Sequence, residues 1–194
     1  MAYAGQVLTN PVSGETIEFI ETAADTGGER LTIDLTLSPD GHVPGTHVHP
    51  EQEERFEVCA GTMKFKLGYK TVIAGPGDSV VVPAGTRHRF SNAGDEEAHV
   101  RVEVRPALRM EELFETTVAL AAEGRVTRTG MPRPLELALF VREYDREVRA
   151  AFPPAWVVRA TTAPLAALAR HFGRDERYRS QDAGPRLALT NVAS

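Results

Sequence analysis

Two stretches decide how this chain reads: Gly41-His-Val-Pro-Gly-Thr-His47-Val-His49-Pro-Glu-Gln-Glu-Glu54-Arg-Phe-Glu-Val-Cys-Ala-Gly61 and Gly77-Asp-Ser-Val-Val-Val-Pro83-Ala-Gly85-Thr-Arg-His88-Arg-Phe-Ser-Asn92. Residues two apart on a strand point to the same face, so His47 and His49 present their imidazoles to one point. Pro50 bends the chain and resets the register, after which Glu54, Phe56 and Val58 share a face. Val80, Val81 and Val82 read as a strand, and Pro83-Ala84-Gly85 as a tight turn that delivers His88. Three imidazoles and one carboxylate meeting between strands make a site for a first-row metal ion.

Working outward, the flanking sequence alternates with period two. Leu31, Ile33, Leu35 and Leu37 interleave with Thr32, Asp34 and Thr36; Met63, Phe65 and Leu67 with Lys64 and Lys66; Val100, Val102 and Val104 with Arg101 and Glu103. Strands with one wet face, separated by turns at Pro39-Asp40-Gly41, Gly75-Pro76-Gly77-Asp78 and Asn92-Ala93-Gly94-Asp95, predict an antiparallel sandwich or barrel. After Arg105-Pro106 the period changes to helical: Leu113, Phe114, Val118 and Ala121; then Leu137, Val141, Tyr144 and Val148; then Trp156, Val157 and Ala160 after Pro153-Pro154. Pro134 is expected to open the second of these helices. Pro164 is expected to break or kink the third, with Leu165, Leu168 and Phe172 forming a last short set. The expected organisation is a β domain over residues 1–104, a helical extension over 105–180 that packs on the sheets or on a neighbour, and a loosely ordered tail over 181–194.

Composition narrows the function classes. The chain has 194 residues and a net charge of -5, divided as 8 Lys/Arg against 16 Asp/Glu over residues 1–104 and 14 against 11 over 105–194. An acidic first half argues against nucleic acid as its partner, because phosphate contacts need clustered cations. A single cysteine, Cys59, forms no internal disulfide and rules out a Cys-rich zinc site. With no secretion signal and no apolar run of about 18 residues, a soluble cytoplasmic protein is expected. Nucleophile elbow, phosphate-cradling loop and dinucleotide fingerprint are all absent from the sequence.

The two stretches resemble the two motifs of the cupin superfamily, with each motif position filled and the short gap from Gly61 to Gly77 similar to compact single-domain members. The resemblance covers roughly residues 30–104. It implies a mainly β, antiparallel jelly-roll barrel in which His47, His49, Glu54 and His88 hold one divalent transition metal ion. Fe(II) is favoured, with Mn, Ni, Co, Cu and Zn also compatible with imidazole and carboxylate ligands. Glu51 and Glu53 compete with Glu54 for the acidic position; Glu54 fits because it lies at the motif distance from Gly61, whereas Glu53 points away from the interior. His42, His99 and His171 are read as surface or hydrogen-bonded residues, and Cys59 as facing away from the metal.

By parity, Phe56, Met63, Phe65, Phe90 and Val102 are the candidate walls of a substrate pocket, although most such side chains simply fill a core. A small, largely apolar molecule that chelates through an oxygen pair suits such a site. The expected function is therefore a metal-dependent enzyme, first an oxygenase. The alternatives are an isomerase, decarboxylase or lyase using the ion as a Lewis acid, and a non-catalytic binding module. A homodimer is expected because an open sheet edge needs covering. In resembling cupins an N-terminal strand commonly crosses to the neighbour, and Thr16 to Ile20 is the candidate segment. The helix from Trp156 to Phe172 is expected to pack on the barrel or on a second subunit rather than lie on a membrane, and the sequence leaves lid over the barrel mouth, dimer arm and membrane contact all open for the helical extension.

Overall fold

The computed structural model of the chain describes residues 2–179, so the tail expected over 181–194 lies outside the described residues. In chain order, the strands are β1 (Val7–Asn10), β2 (Glu15–Glu21), β3 (Leu31–Leu37), β4 (His47–Val48), β5 (Glu53–Ala60), β6 (Met63–Leu67), β7 (Lys70–Ala74), β8 (Ser79–Val82), β9 (His88–Asn92) and β10 (Ala98–Arg105). Then come α1 (Met110–Ala122), α2 (Pro134–Glu143), β11 (Arg149–Ala150), α3 (Ala155–His171) and α4 (Glu176–Arg179).

Every strand pair is antiparallel. One sheet has the order β1-β2-β3-β10-β5-β8 and the other β11-β4-β9-β6-β7. This is the jelly-roll arrangement, built as two sheets that are not closed into a ring. The period-two pattern is what makes it stable. Leu31, Ile33, Leu35 and Leu37 of β3 and Val100, Val102 and Val104 of β10 are all buried, against Phe56 and Val58 of β5. From the second sheet Met63, Phe65 and Phe90 face them, and the rings of Phe56, Phe65 and Phe90 pack together at centroid distances of 5.1 to 6.1 Å, Phe56 edge-on to Phe65 and the other two pairs tilted. Each fully buried side chain of this kind stabilises the fold by about 1.5–3 kcal/mol. The turn from β5 into β6 requires Gly61: its φ is +77°, and a Cβ there would lie 2.7 Å from the Ala98 Cα. The Thr16 to Ile20 segment sits in β2, paired with β1 and β3 of its own chain.

The helical period after residue 105 gives real helices, and Pro134 opens α2 at its first turn. Pro164 does not break α3, which runs through it from Ala155 to His171. The hydrogen bond lost at the Ala160 carbonyl falls on an exposed stretch, where the loss costs least because solvent reaches the chain. Val148 lies beyond α2, next to β11, an addition to the second sheet that the helical reading of this region does not contain. Tyr144, fully buried, locks α1 to α2: its hydroxyl donates to the Glu112 carbonyl at 3.1 Å and lies 2.7 Å from Thr116 Oγ1. Burial pushes its pKa up to about 12. α3 packs on α2 through small residues, with Ala166 and Ala169 buried and Trp156, Leu168 and Phe172 exposed. Among the described residues no helix is long and apolar enough to cross a membrane.

Candidate metal centre

His47, His49, Glu54 and His88 come together, with one donor atom from each lying within 4.8 Å of all the others. The two sheets divide the work. His47 of β4 pairs in register with His88 of β9 on one sheet, while Glu54 projects from β5 of the other. His49 follows directly after β4. A turn fixes the fourth position: the Thr86 N–H donates to the Pro83 carbonyl at 3.1 Å, and the Gly85 N–H to the His49 carbonyl at 2.8 Å. That turn thereby joins the two motif stretches. The competing carboxylates are elsewhere, since Glu53 is exposed and Glu51 is exposed and bound to Arg146 at 2.6 Å.

Each imidazole is oriented by a backbone carbonyl. His47 Nδ1 faces the Gly45 oxygen at 3.3 Å, His49 Nδ1 the Glu147 oxygen at 2.5 Å, and His88 Nδ1 the Thr86 oxygen at 3.0 Å. A carbonyl only accepts, so each Nδ1 carries its proton and each neutral ring turns the Nε2 lone pair inward. His49 Nε2, His88 Nε2 and Glu54 Oε2 are buried with no hydrogen-bond partner. His88 Nε2 and Glu54 Oε2 are only 2.8 Å apart, yet they are not aligned as donor and acceptor. His49 Nε2 lies 3.3 Å from Glu54 Oε1. Three lone pairs and a carboxylate aimed at one volume are a donor set for a cation, and leaving such groups buried and unpaired is costly. The four residues therefore fit a divalent first-row metal ion, with the carbonyls acting as the outer partners that hold such ligands in place.

The electrostatics agree. Burial alone would raise the Glu54 carboxyl, but the imidazoles of His49 and His88 outweigh it and hold the pKa down at about 2. Burial, with His49 and His88 alongside, pushes His47 down to about 3. For His88 burial works downward too, yet contact with Glu54 draws its pKa up.

His47, His49 and Glu54 lie in the wall of a cavity of about 230 Å³. Of the five side chains read by parity as pocket walls, Phe56, Phe90 and Val102 line it. Met63 and Phe65 are fully buried and line no part of it, because both stand in β6, where they fill the space between the sheets. Much of the remaining wall is helical: Leu113 and Phe114 of α1, Leu137, Phe140 and Val141 of α2, and Met131 before α2. Sequence reasoning saw those apolar faces but left open whether they form a lid, a dimer arm or a membrane contact, because periodicity identifies a face but not what it meets.

Three contacts fasten this cover to the candidate ligands and the strands that carry them. β11 pairs with β4, setting Ala150 opposite His47 and Arg149 opposite Val48. The buried Gln52 amide donates to the Pro106 and Ala107 carbonyls at 2.9 and 3.0 Å. Glu147, besides its carbonyl contact with His49, accepts the Arg109 N–H in its buried carboxylate at 3.2 Å. No motif spacing points to Gln52 or Glu147. The remaining histidines are as expected: His42 Nδ1 meets the Asp40 carbonyl, His99 Nδ1 meets Thr36 Oγ1, and His171 is exposed. Cys59 is exposed on the outer face of β5.

Residues 34–104 match the cupin domain family model. Among curated proteins it is similar to polyketide synthase CurC of Streptomyces cyaneus, 27% identical over 101 residues, covering 52% of this chain and 66% of that protein. It is also similar to protein SchB of Streptomyces halstedii, 31% identical over 94 residues, covering 48% of this chain and 59% of that protein. Both matches thus span less than two thirds of the relative's length. Among solved structures, a predicted oxalate decarboxylase from Thermotoga maritima aligns at 20% identity with a TM-score of 0.46, over 53% of this chain and 92% of that one.

Proposed function

We propose that this protein is a metal-dependent enzyme that acts on a small, largely apolar molecule which chelates the ion through two oxygens. The observation that carries the proposal is that three of the four clustered donor residues, His47, His49 and Glu54, stand in the wall of a mainly apolar cavity that α1 and α2 also line. Four protein ligands on a six-coordinate ion leave two positions, enough for one chelate or for one substrate oxygen and a second reactant. An ion held there supplies Lewis acidity and, if redox-active, electrons for reaction with dioxygen.

The chain's own residues do the rest. His47, His49, Glu54 and His88 fix the position of the ion, and their carbonyl partners keep the Nε2 lone pairs inward. Phe56, Phe90 and the α1 and α2 side chains exclude water and orient the apolar part of the ligand. With Fe(II) as the favoured ion, the first reading is an oxygenase. A second reading is favoured by the relative named a polyketide synthase. Polyketides are built from β-dicarbonyl units, which chelate as diketones do, and a Lewis acid promotes proton loss between the two carbonyls without oxidation.

Oxygen uptake by the Fe(II)-loaded protein against a panel of diketones, phenols and small acids tests this. Uptake that depends on one of them supports the oxygenase, and conversion without uptake supports the Lewis-acid reading. Tight binding with no conversion under either condition overturns the enzyme proposal in favour of a binding module. As part of the same proposal, the protein is a cytoplasmic homodimer whose partner is a small molecule rather than nucleic acid. The β domain ends near residue 104, and residues 105–180 serve as its cover. Light scattering checks the dimer.

A further inference from the structure

The cavity has a second polar end. Asn10 and Glu15 face each other across the hairpin of β1 and β2, as register partners on one face, and both line the cavity that His47, His49 and Glu54 line. The turn between them is organised from within: Asn10 Oδ1 accepts the Val12 and Ser13 N–H groups at 3.0 and 3.3 Å, and Ser13 Oγ donates to Glu15 Oε2 at 2.5 Å. Those bonds fix both side chains. They leave Asn10 Nδ2, a donor, and Glu15 Oε1, an acceptor, without a hydrogen-bond partner among the described residues.

The turn does not need a carboxyl at position 15. Glu15 shares its parity with Ile17 and Phe19, both buried in the core, and an apolar residue would complete that row at lower cost. Burial raises the Glu15 pKa, opposed in part by Ser13 and by the charge of His42, so the group is held there against its solvation preference. Register places this polar pair far from the metal ligands. Glu15 is level with Leu37, while Glu54 is level, through Val104, with Leu31. On a flat sheet that is about 20 Å along the strands, plus three strand spacings of about 4.8 Å. The surface between is apolar, through Ile17, Ile33, Leu35 and Val102.

We propose that Asn10 and Glu15 form a specificity subsite that grips a hydroxyl group on the far end of an elongated substrate whose near end chelates the metal. A hydroxyl both donates and accepts, which matches the carboxyl oxygen and amide nitrogen set side by side. The proposal rests on the chelation reading above and adds the shape and second functional group of the substrate.

The test uses metal-loaded protein and synthetic β-diketones carrying one alkyl arm of graded length, each made with a terminal hydroxyl and with a terminal methyl. Calorimetry on the wild type is expected to show a preference of about tenfold for the hydroxyl form at one arm length and none at the shortest, the scale of a buried hydrogen bond. Glu15→Leu should abolish that preference while binding the methyl-terminated compounds and metal as before, with a melting temperature equal to or above the wild type. Glu15→Gln, which preserves shape and one acceptor, should retain part of it, and this variant carries the test if Glu15→Leu does not fold. Equal affinities for the two forms at every length, or a preference unchanged in both variants, overturns the subsite and leaves chelation standing. Failure of every diketone to bind metal-loaded wild type overturns the chelation reading itself, and the subsite with it.

Discussion

The two walls of the cavity are made by different physics. The sheet wall supplies charge and lone pairs: Glu54 and His88 stand on strands whose alternation allows one side chain in two to point inward, and neither has more than a few per cent of its surface exposed. The helical wall supplies apolar area, through Leu113, Phe114, Leu137 and Phe140, and grips the ligands only through backbone groups such as the Glu147 carbonyl. Chemistry is thus concentrated on the rigid side, and water exclusion is assigned to the cover. The cover nonetheless orients a candidate ligand, His49, so the two walls make one site rather than a pair of sheets with an accessory.

Removing groups from each wall should sharpen that contrast. His88→Ala is expected to have the largest effect, with loss of bound metal and at least a hundredfold fall in turnover, because a buried ligand is replaced by a void. Elemental analysis beside an activity assay reads both. Phe65→Ala, one strand away, should cost about 3–5 kcal/mol in a urea melt and leave metal stoichiometry at the wild-type value in the fraction that is folded, since Phe65 fills space and does not line the cavity beside the candidate ligands. On the helical side, Glu147→Ala removes the anchor on the Arg109 N–H and frees the turn that holds His49 Nδ1. A fall of about tenfold in metal affinity is expected, the lower end for outer partners of metal ligands. An affinity unchanged by Glu147→Ala would return the cover to accessory status. Arg146→Ala breaks only the exposed pair with Glu51, and should change stability by less than about 1 kcal/mol with metal binding intact.

Legibility in the sequence follows the same division. β3 and β6 are bounded as their alternation predicts, and the four candidate ligands meet as their spacing predicts, because strand parity is a local rule that a side chain cannot evade without crossing the sheet. Parity fails to separate wall from filling: Phe56, Phe65 and Phe90 share one cluster, and only contact across the sheets decides that Phe65 stays out of the wall of this cavity. Pro164 misleads because a proline's cost depends on whether water reaches the orphaned carbonyl, a tertiary fact. Glu147 carries no local signal at all, since what it gives His49 is a main-chain oxygen from a residue 98 positions away. Glu15 was within reach, as a carboxyl in an apolar alternation that includes Ile17 and Phe19.

The most direct measurement is metal titration of the purified chain by calorimetry, paired with elemental analysis of protein prepared without added ions. We expect one divalent first-row ion per chain, and loss of that site in Glu54→Ala and His49→Ala with the fold retained. Wild-type protein that takes up no such ion, or variants that bind it as tightly as the wild type, would contradict the account.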